Sequence, residues 1–366
     1  MKIIQFKKDI NDQLFFKTLK KRVNEYFQKN NIKKTANKKA KIKAIILIAA
    51  YFLTYVGIFY SAQFHRLIMA YMSIGALTIF VALNIAHDAA HATFSSRKKI
   101  NKLLVNVFDL LGASGYIWQL KHVHSHHPHV NIPNMDSDIK QSKLVRIFPN
   151  APFHWFHRYQ YLYMPVLYLL YTLVWLLYRD FRDFFKNDIS GKPDHKHSTF
   201  QSIQFFTGKI LFFSRMLIIP WAVLQFSFLQ ICAAFLLMHF TASFTVALAL
   251  VSTHVGEHST YPQPNAKGQM PDSWVRHQLI TTSDFATENK WVTHLFGGFN
   301  HHVAHHLFPN ICHIHYPSLT KILKSTCREF NMPYAANASL GAAILSHLKF
   351  LKIRSRQELK VPYLEM

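Results

Sequence analysis

The sequence predicts an all-α integral membrane protein, with four transmembrane helices in two hairpins, interfacial helices beside them, and a cytoplasmic helical cap that holds a metal site. Three observations carry this expectation. Half of the 366 residues are hydrophobic, and they fall into long runs nearly free of charge. The formal net charge is +24, with basic residues concentrated in the N-terminal arm and beside the apolar runs. Twenty-four histidines outnumber the eighteen carboxylates, and the tightest histidine clusters sit at the ends of apolar segments.

The elements follow in order along one domain. Residues 1–43 form a basic arm, too long and polar ahead of the first apolar run for a secretory signal peptide, and expected in the cytoplasm. Ala44 to Tyr60 and Leu67 to Ala86 are each long enough to cross a hydrocarbon core of about 30 Å at about 1.5 Å per residue. The short link around His65 and Arg66 closes them into a hairpin, residues 44–86, which returns the chain to the cytoplasm just before His87.

Residues 87–160 are rich in His, Lys, Pro and Asn. Within them, Leu103 to Trp118 is apolar but interrupted by Asp109, Gly112 and Gly115, which suits a re-entrant or interfacial segment. Residues 210–251 read as a second hairpin, whose uncharged turn from Gln225 to Gln230 suits the far side of the membrane. Parity then assigns residues 161–178 to the interface. The histidines that follow residue 251 can meet the earlier ones only across an even number of crossings, and the hairpin already supplies two. Residues 252–366 return to the cytoplasm, with amphipathic stretches from Ser318 to Phe330 and from Leu340 to Leu351.

A cytoplasmic membrane face accounts for the positive charge without nucleic acid as a partner. Cys232, Cys312 and Cys327 lack metal-type spacing and are expected as buried or reduced thiols.

Three histidine clusters carry the chemistry. His87 and His91 are four residues apart, so on a helix they face the same way one turn apart. His122 and His126 repeat the spacing, with His127 next, and His302, His305 and His306 give i, i+3 and i, i+4 pairs. A single such pair near a membrane is more often interfacial than ligating. Three clusters brought to one side of a membrane point to a shared site instead. Eight neutral imidazoles exceed the needs of one tetrahedral zinc and suit two metal ions.

Zinc hydrolysis is disfavoured, because HExxH is absent and no cluster contains a glutamate to act as general base. The Glu-x-x-His pairs of soluble di-iron bundles are also missing. An all-nitrogen di-iron centre fits best, with nearby carboxylates expected to orient the rings and offset the metal charge. Asp88 is the first candidate, with Glu257 and Asp284 behind it.

HDAAH, KHVHSHH and HHVAHHLFPNICHIHYP, in that order and flanked by apolar hairpins, resemble the three histidine boxes of membrane fatty acid desaturases. The resemblance covers most of the chain. It continues through WVRHQLITTSDFA, the Gly297-Gly298 pair and Tyr316-Pro317, with the flanking sequence similar to the bacterial front-end group. It implies two iron ions held on the cytoplasmic side by His87, His91, His122, His126, His127, His302, His305 and His306. It implies further that O2 and two electrons serve to remove two hydrogens from an acyl chain. The family takes one ligand from the end of the last span, where this chain offers His254 first and His258 second. His124 and His301 are expected around the ligands rather than among them. His129, His154, His157, His277, His313 and His315 are expected to be interfacial or structural.

The resemblance implies a fatty acyl-CoA or acyl-lipid substrate in a narrow apolar tunnel. Trp118, one helical turn before the second box, serves there either as tunnel wall or as an interfacial anchor. No His-Pro-Gly-Gly haem motif occurs in the sequence, so a separate electron donor is expected, either a ferredoxin or a small b-type cytochrome. The HVAHH form of the third box is closer to methyl-end enzymes than its surroundings are, which leaves the double-bond position open. The expected location is a bacterial plasma membrane, or the endoplasmic reticulum in a eukaryote.

Two other readings exist. One is a membrane hydroxylase or ketolase acting on a lipid, sterol or carotenoid. The other is a metal transporter, disfavoured because only His239 lies well inside a span and no titratable path crosses the bilayer.

Overall fold

The computed structural model describes residues 4–139, 142–186, 188–189 and 195–356, so the last part of the predicted C-terminal region, 357–366, lies outside the described residues. Helix α1, Ile10–Lys29, starts where the Asp9 side chain accepts the Asp12 N–H. Its Phe15, Leu19, Val23 and Phe27 recur every four residues and bury one stripe against the cap.

Among the described residues, four helices are long and apolar enough to cross a membrane. They are α2 (Lys38–Ile58), α3 (Phe64–Ala90), α8 (Thr199–Val223) and α9 (Phe228–His254). Between α3 and α8 lie two bent pairs. Lys98–Leu110 (α4) meets Gly115–His129 (α5) at 110°, and Trp155–Tyr168 (α6) meets Tyr171–Phe184 (α7) at 74°. Each arm is about 20 to 22 Å long at 1.5 Å per residue, short of the roughly 30 Å core.

The second hairpin departs from the sequence expectation at its start. Helix α8 begins at Thr199, well before Ile210, under a reciprocal Ser198–Gln201 cap. Lys209 does not end it, because its buried ammonium donates to Asp180 Oδ2 at 2.6 Å and to the Gly112 carbonyl at 2.7 Å.

Helices α3 and α9 form the centre, and their close approach depends on Gly75, where an added Cβ would collide with the Met238 carbonyl. Helix α2 lies outside and leaves Ile45, Ile46, Phe52 and Leu53 largely exposed, as a lipid-facing helix does. The cap at one end of the bundle contains Trp274–Thr281 (α10), Lys290–Leu295 (α11), His302–Leu307 (α12), Tyr316–Glu329 (α13) and Leu340–Arg354 (α14). Its one strand pair among the described residues is parallel, Asp284–Phe285 against Ala336–Asn337. Helix α1 clamps this cap through Phe15, Leu19 and Val23 on Leu319 and Leu323 of α13. An Asp12–Arg276 ion pair at 2.6 Å adds to the clamp.

Candidate metal centre

Helix α3 is regular until Ala82–Ala86, where one π-turn precedes His87. Asn84 secures the irregular turn by donating to the Phe80 and Leu295 carbonyls at 2.8 and 2.9 Å. Gly297, at φ +56°, lies against the Leu83 carbonyl, so the loop leading to the third box presses on the turn that presents the first. A side chain at 297 would be excluded both by that φ and by a contact of 2.6 Å.

The second box is itself a π-turn, His122–His126. In a straight α-helix each residue rotates about 100°, which would turn His127 well away from His122. The wider turn brings both inward, with their Nε2 atoms 3.2 Å apart. The third box is the short helix α12. Asp284 caps it by accepting the Val303 N–H at 2.7 Å and is fixed in turn by Tyr334 Oη at 2.6 Å. Burial pushes the Asp284 carboxyl up to about 6.

The three boxes and the end of α9 meet in two groups of ring nitrogens, each mutually within 4.8 Å. One group is His87, His91, His122 and His305, and the other is His126, His254, His302 and His306. The first box serves one group and the α9 end the other, while the second and third boxes divide between them. His127 lies between the groups, its ring centroid 4.5 to 4.7 Å from those of His91, His122, His305 and His306. His258 is exposed and joins neither group.

The donor chemistry suits metal ions. Nδ1 of His122 donates to Asp138 at 3.1 Å and Nδ1 of His126 to Asp136 at 3.0 Å. His254 donates to the Thr281 carbonyl at 3.1 Å and His306 to Gln278 Oε1 at 3.0 Å, and Nδ1 of His305 lies 2.9 Å from Tyr316 Oη. The acceptor oxygens at His122, His126, His254 and His306 fix the tautomer and leave four Nε2 lone pairs aimed inward. His254 and His302 bring two Nε2 atoms to 2.8 Å, while Nε2 of His91, His305 and His306 are buried without any partner. Such nitrogens are costly unless a cation takes their lone pairs.

Burial, and then the charge each ring would impose on its neighbours, holds His91, His127, His302, His305 and His306 well below the ordinary imidazole pKa. They stay neutral, as ligands must. At His126 burial disfavours the charged form but the Asp136 carboxylate outweighs it and raises the pKa. A cation at Nε2 draws on the same attraction. Burial also opposes the charge of Asp138, yet His122 and its charged neighbours hold that carboxyl far below the usual range.

The side chains expected around the ligands are placed elsewhere. Asp88 turns from the rings and binds His313 Nδ1 at 2.7 Å and Cys312 Sγ at 2.8 Å. Glu257 faces Lys349 at 3.6 Å, and His124 is exposed. His301 bonds Thr320 and Thr293, and Asp284 acts on helix backbone instead of on a ring. None of His129, His154, His157, His277, His313 or His315 joins either group; His277, for example, bonds the Val130 carbonyl at 2.8 Å. The carboxylates at the rings are Asp136 and Asp138. Their signal in the sequence is the Asp-Ser-Asp just after the second box.

An apolar cavity of about 340 Å³ opens onto the cluster. His87, His122, His126, His254 and His302 stand in its wall with Trp118, whose ring stacks on His122 at 4.4 Å and packs on Phe108 at 4.5 Å. Trp118 is therefore cavity wall, buried and 8 % exposed, and not an interfacial anchor.

Fold and site together define a helical membrane protein whose histidine boxes converge at one end of the spanning bundle, beside an apolar cavity. The family model for fatty acid desaturases matches residues 63–338, and the chain belongs to that family, as an oxidoreductase. It is 31% identical over 348 residues to the sn-1 linoleoyl-lipid 6-desaturase of a Synechocystis species, covering 92% of this chain and 94% of that protein. The acyl-lipid (8-3)-desaturase of Physcomitrium patens is 29% identical over 347 residues, with 94% and 72% covered. The Delta(5) fatty acid desaturase A of Dictyostelium discoideum is 30% identical over 348 residues, with 92% and 74% covered.

Proposed function

We propose that this chain is an O2-dependent di-iron desaturase that introduces a double bond into a lipid-linked fatty acyl chain. The observation that carries the reading is the apolar cavity running along α3 and α9 into two imidazole groups. One iron would be held by His87, His91, His122 and His305, the other by His126, His254, His302 and His306, with His127 against both. When bound, the irons supply reduction of O2 to two waters with two external electrons and two protons, as two hydrogens leave adjacent acyl carbons.

The residues of the chain do the rest. Trp118, Phe108, Ile79 and Leu83 form a dry wall that holds an acyl chain against the ring cluster. Asp136, Asp138, Gln278 and Tyr316 hold the rings in place, so that the geometry is set before substrate arrives. Names of the relatives, a 6-desaturase and a Delta(5) desaturase, support a bond placed toward the carboxyl end of an acyl-lipid. The HVAHH third box is the feature that sets this chain apart, since His302 stands both in a ring group and in the cavity wall.

The basic arm and flanks support a cytoplasm-facing site, in a bacterial plasma membrane or, in a eukaryote, in the endoplasmic reticulum. They also suit an acidic external carrier, a ferredoxin or small b-type cytochrome.

The test is gas-chromatographic profiling of fatty acids in a host supplying a competent reductase, with wild type beside a His305→Ala, His306→Ala double variant. A new unsaturated acid with the wild type alone is expected, and its bond position follows from the same sample. An oxygenated acid instead would replace this reading with a hydroxylase.

A further inference from the structure

Two of the π-turns present histidine boxes, but another, Trp175–Arg179 in α7, carries no box histidine. Such turns are rare and recur at functional sites. In a straight α-helix, residues five apart point about 140° away from each other. Here the widened turn sets Trp175 and Asp180 on one face, and the indole Nε1–H donates to Asp180 Oδ1 at 2.7 Å. The other carboxylate oxygen reaches two further elements. Asp180 Oδ2 accepts the Ser114 N–H at 2.8 Å and the Lys209 ammonium at 2.6 Å, and the same ammonium donates to the Gly112 carbonyl at 2.7 Å. Gly112 and Ser114 lie in the bend between α4 and α5, so one buried carboxylate ties that bend, α7 and α8 together.

What these elements carry is cavity wall. Gly112, Trp118, Trp175 and Phe212 all line it, while Asp180 stands behind them and belongs to neither ring group. Ser114 is also the N-cap of α5, its Oγ accepting the Ile117 N–H at 3.4 Å. From Ser114 the helix rises about 6 Å to Trp118 and about 12 Å to His122, at 1.5 Å per residue. A slide of α5 along its axis would therefore move a wall residue and a ring of the first group together, relative to α7 and α8. Stability alone does not call for the Asp180–Lys209 pair, since well-packed apolar side chains often replace a buried ion pair without loss. Apolar side chains cannot, however, offer an acceptor to the Ser114 N–H or a donor to the Gly112 carbonyl.

We propose that Asp180 is a positioning residue for the desaturation: through Ser114, Lys209 and Trp175 it fixes the depth of α5 against α7 and α8, and with it which acyl carbons lie beside the ring cluster. This rests on the desaturase reading above and adds to it a residue that sets the register of the chain. Asp180 touches neither rings nor substrate and acts only through the groups it holds. Tolerance for error is small, because a misplacement of about 1 Å far from the chemistry can lower a rate about a hundredfold.

The experiment compares wild type with Lys209→Arg, with Asp180→Glu and with an apolar pair, Asp180→Leu and Lys209→Met in one chain. The ratio of positional isomers in the product is read by gas chromatography with mass spectrometry, beside iron per chain and melting temperature in detergent. The apolar pair strands no charge, so it should melt near wild type. Its minor positional isomer should nevertheless rise about three- to tenfold against the main one, the size of one lost hydrogen bond. Lys209→Arg keeps the charge and the donors and should stay near the wild-type ratio. Asp180→Glu keeps the ion pair but moves the carboxylate by one methylene, and should shift the ratio at full iron content. A wild-type ratio in the apolar pair overturns the inference, whether or not total product falls. If the apolar pair does not accumulate, a wild-type ratio in Asp180→Glu overturns it instead. Wild type giving no unsaturated product, with His305→Ala, His306→Ala no different, removes the desaturase reading and this inference with it.

Discussion

Asp136 and Asp138 lie two residues apart, yet each orients a ring in a different group, so their asparagine variants should separate the two metals. Asp138 Oδ2 accepts from His122 Nδ1 at 3.1 Å, and His122 belongs with His87, His91 and His305. Asp138→Asn keeps an acceptor oxygen at that place but removes the charge, and charge-assisted hydrogen bonds are about twice as strong as neutral ones. Loss of such a partner typically weakens metal binding about 10- to 100-fold. At about 1.4 kcal/mol per tenfold this is roughly 1.4 to 2.7 kcal/mol, falling chiefly on the first group, since His126 feels the Asp138 charge but makes its hydrogen bond to Asp136.

Asp136 does more. Besides His126 it accepts the N–H groups of Asn131, Asp138 and Ile139 at 2.8 to 3.1 Å, so Asp136→Asn turns an amide donor toward backbone donors. A further destabilisation of about 1.5 to 3 kcal/mol is expected for one such lost charged bond. The assay is iron per chain by elemental analysis during stepwise dialysis against a chelator, beside thermal unfolding in detergent. Asp138→Asn should pass through a plateau near one iron with its melting temperature little changed. Asp136→Asn should lose the other iron and melt earlier. Simultaneous loss of both irons from Asp138→Asn, or retention of both at every chelator level that wild type tolerates, would refute the assignment of these carboxylates to separate groups.

Three further outcomes follow from the packing. Trp118→Ala removes the wall that stacks on His122, costing about 3 to 5 kcal/mol; the product profile should broaden in bond position, and an unchanged profile at unchanged rate would remove Trp118 from the acyl path. Gly75→Val drives a side chain into the Met238 carbonyl where α3 meets α9, and should cost about 1 to 3 kcal/mol or more, read as a lower melting temperature in detergent; full stability would mean the two helices can separate freely. His347 in α14 is buried with Nδ1 donating to the Val255 carbonyl and Nε2 accepting from Tyr168, and burial lowers its pKa to about 4 from 6.5. Its folded pKa is depressed, so its stabilisation is present above pH 6.5 and is lost as pH falls toward 4, up to about 3 kcal/mol. Acid unfolding curves of His347→Gln should be flatter than wild type across that window, and identical curves would count against it.

Much of this architecture is legible in the sequence because it rests on local signals. Apolar run length marks the spans, and i, i+4 histidines mark the faces that present ligands. His254 is readable only through the family resemblance, which asks for a histidine at the end of the last span, and the structure brings it beside His126, His302 and His306. What is not legible depends on backbone irregularity and on long-range placement. No spacing rule distinguishes the π-turn at His122–His126 from an ordinary turn, yet that turn lets His127 reach the same interior as His122. Asp88, beside a ligand in sequence, is drawn away by His313 and Cys312, which lie more than two hundred residues later. Lys209 looks like the end of a span until Asp180, on a separate helix, is seen to bury with it.

The choice of neutral ligands explains where the carboxylates stand. Two divalent ions held among imidazoles would carry charge that nothing in the ligand sets offsets, and a buried charge needs compensation close by. Carboxylates in direct contact with the metals would provide it, but they would also place anionic oxygens where an apolar chain must lie. Set one imidazole away, Asp136 and Asp138 draw on the ring N–H to act on the metal while the cavity side presents mostly carbon and ring edges. The same division recurs farther along the cavity, where Thr172 Oγ1 lies 2.9 Å from Nδ1 of His239 and is itself held by Ser243 Oγ at 2.8 Å. Nε2 of the same ring has no hydrogen-bond partner. In both places a polar group holds a ring nitrogen, and although Asp138 and Thr172 also reach the cavity lining, most of that lining is apolar, so that the tunnel can carry directed polar chemistry and still hold an acyl chain.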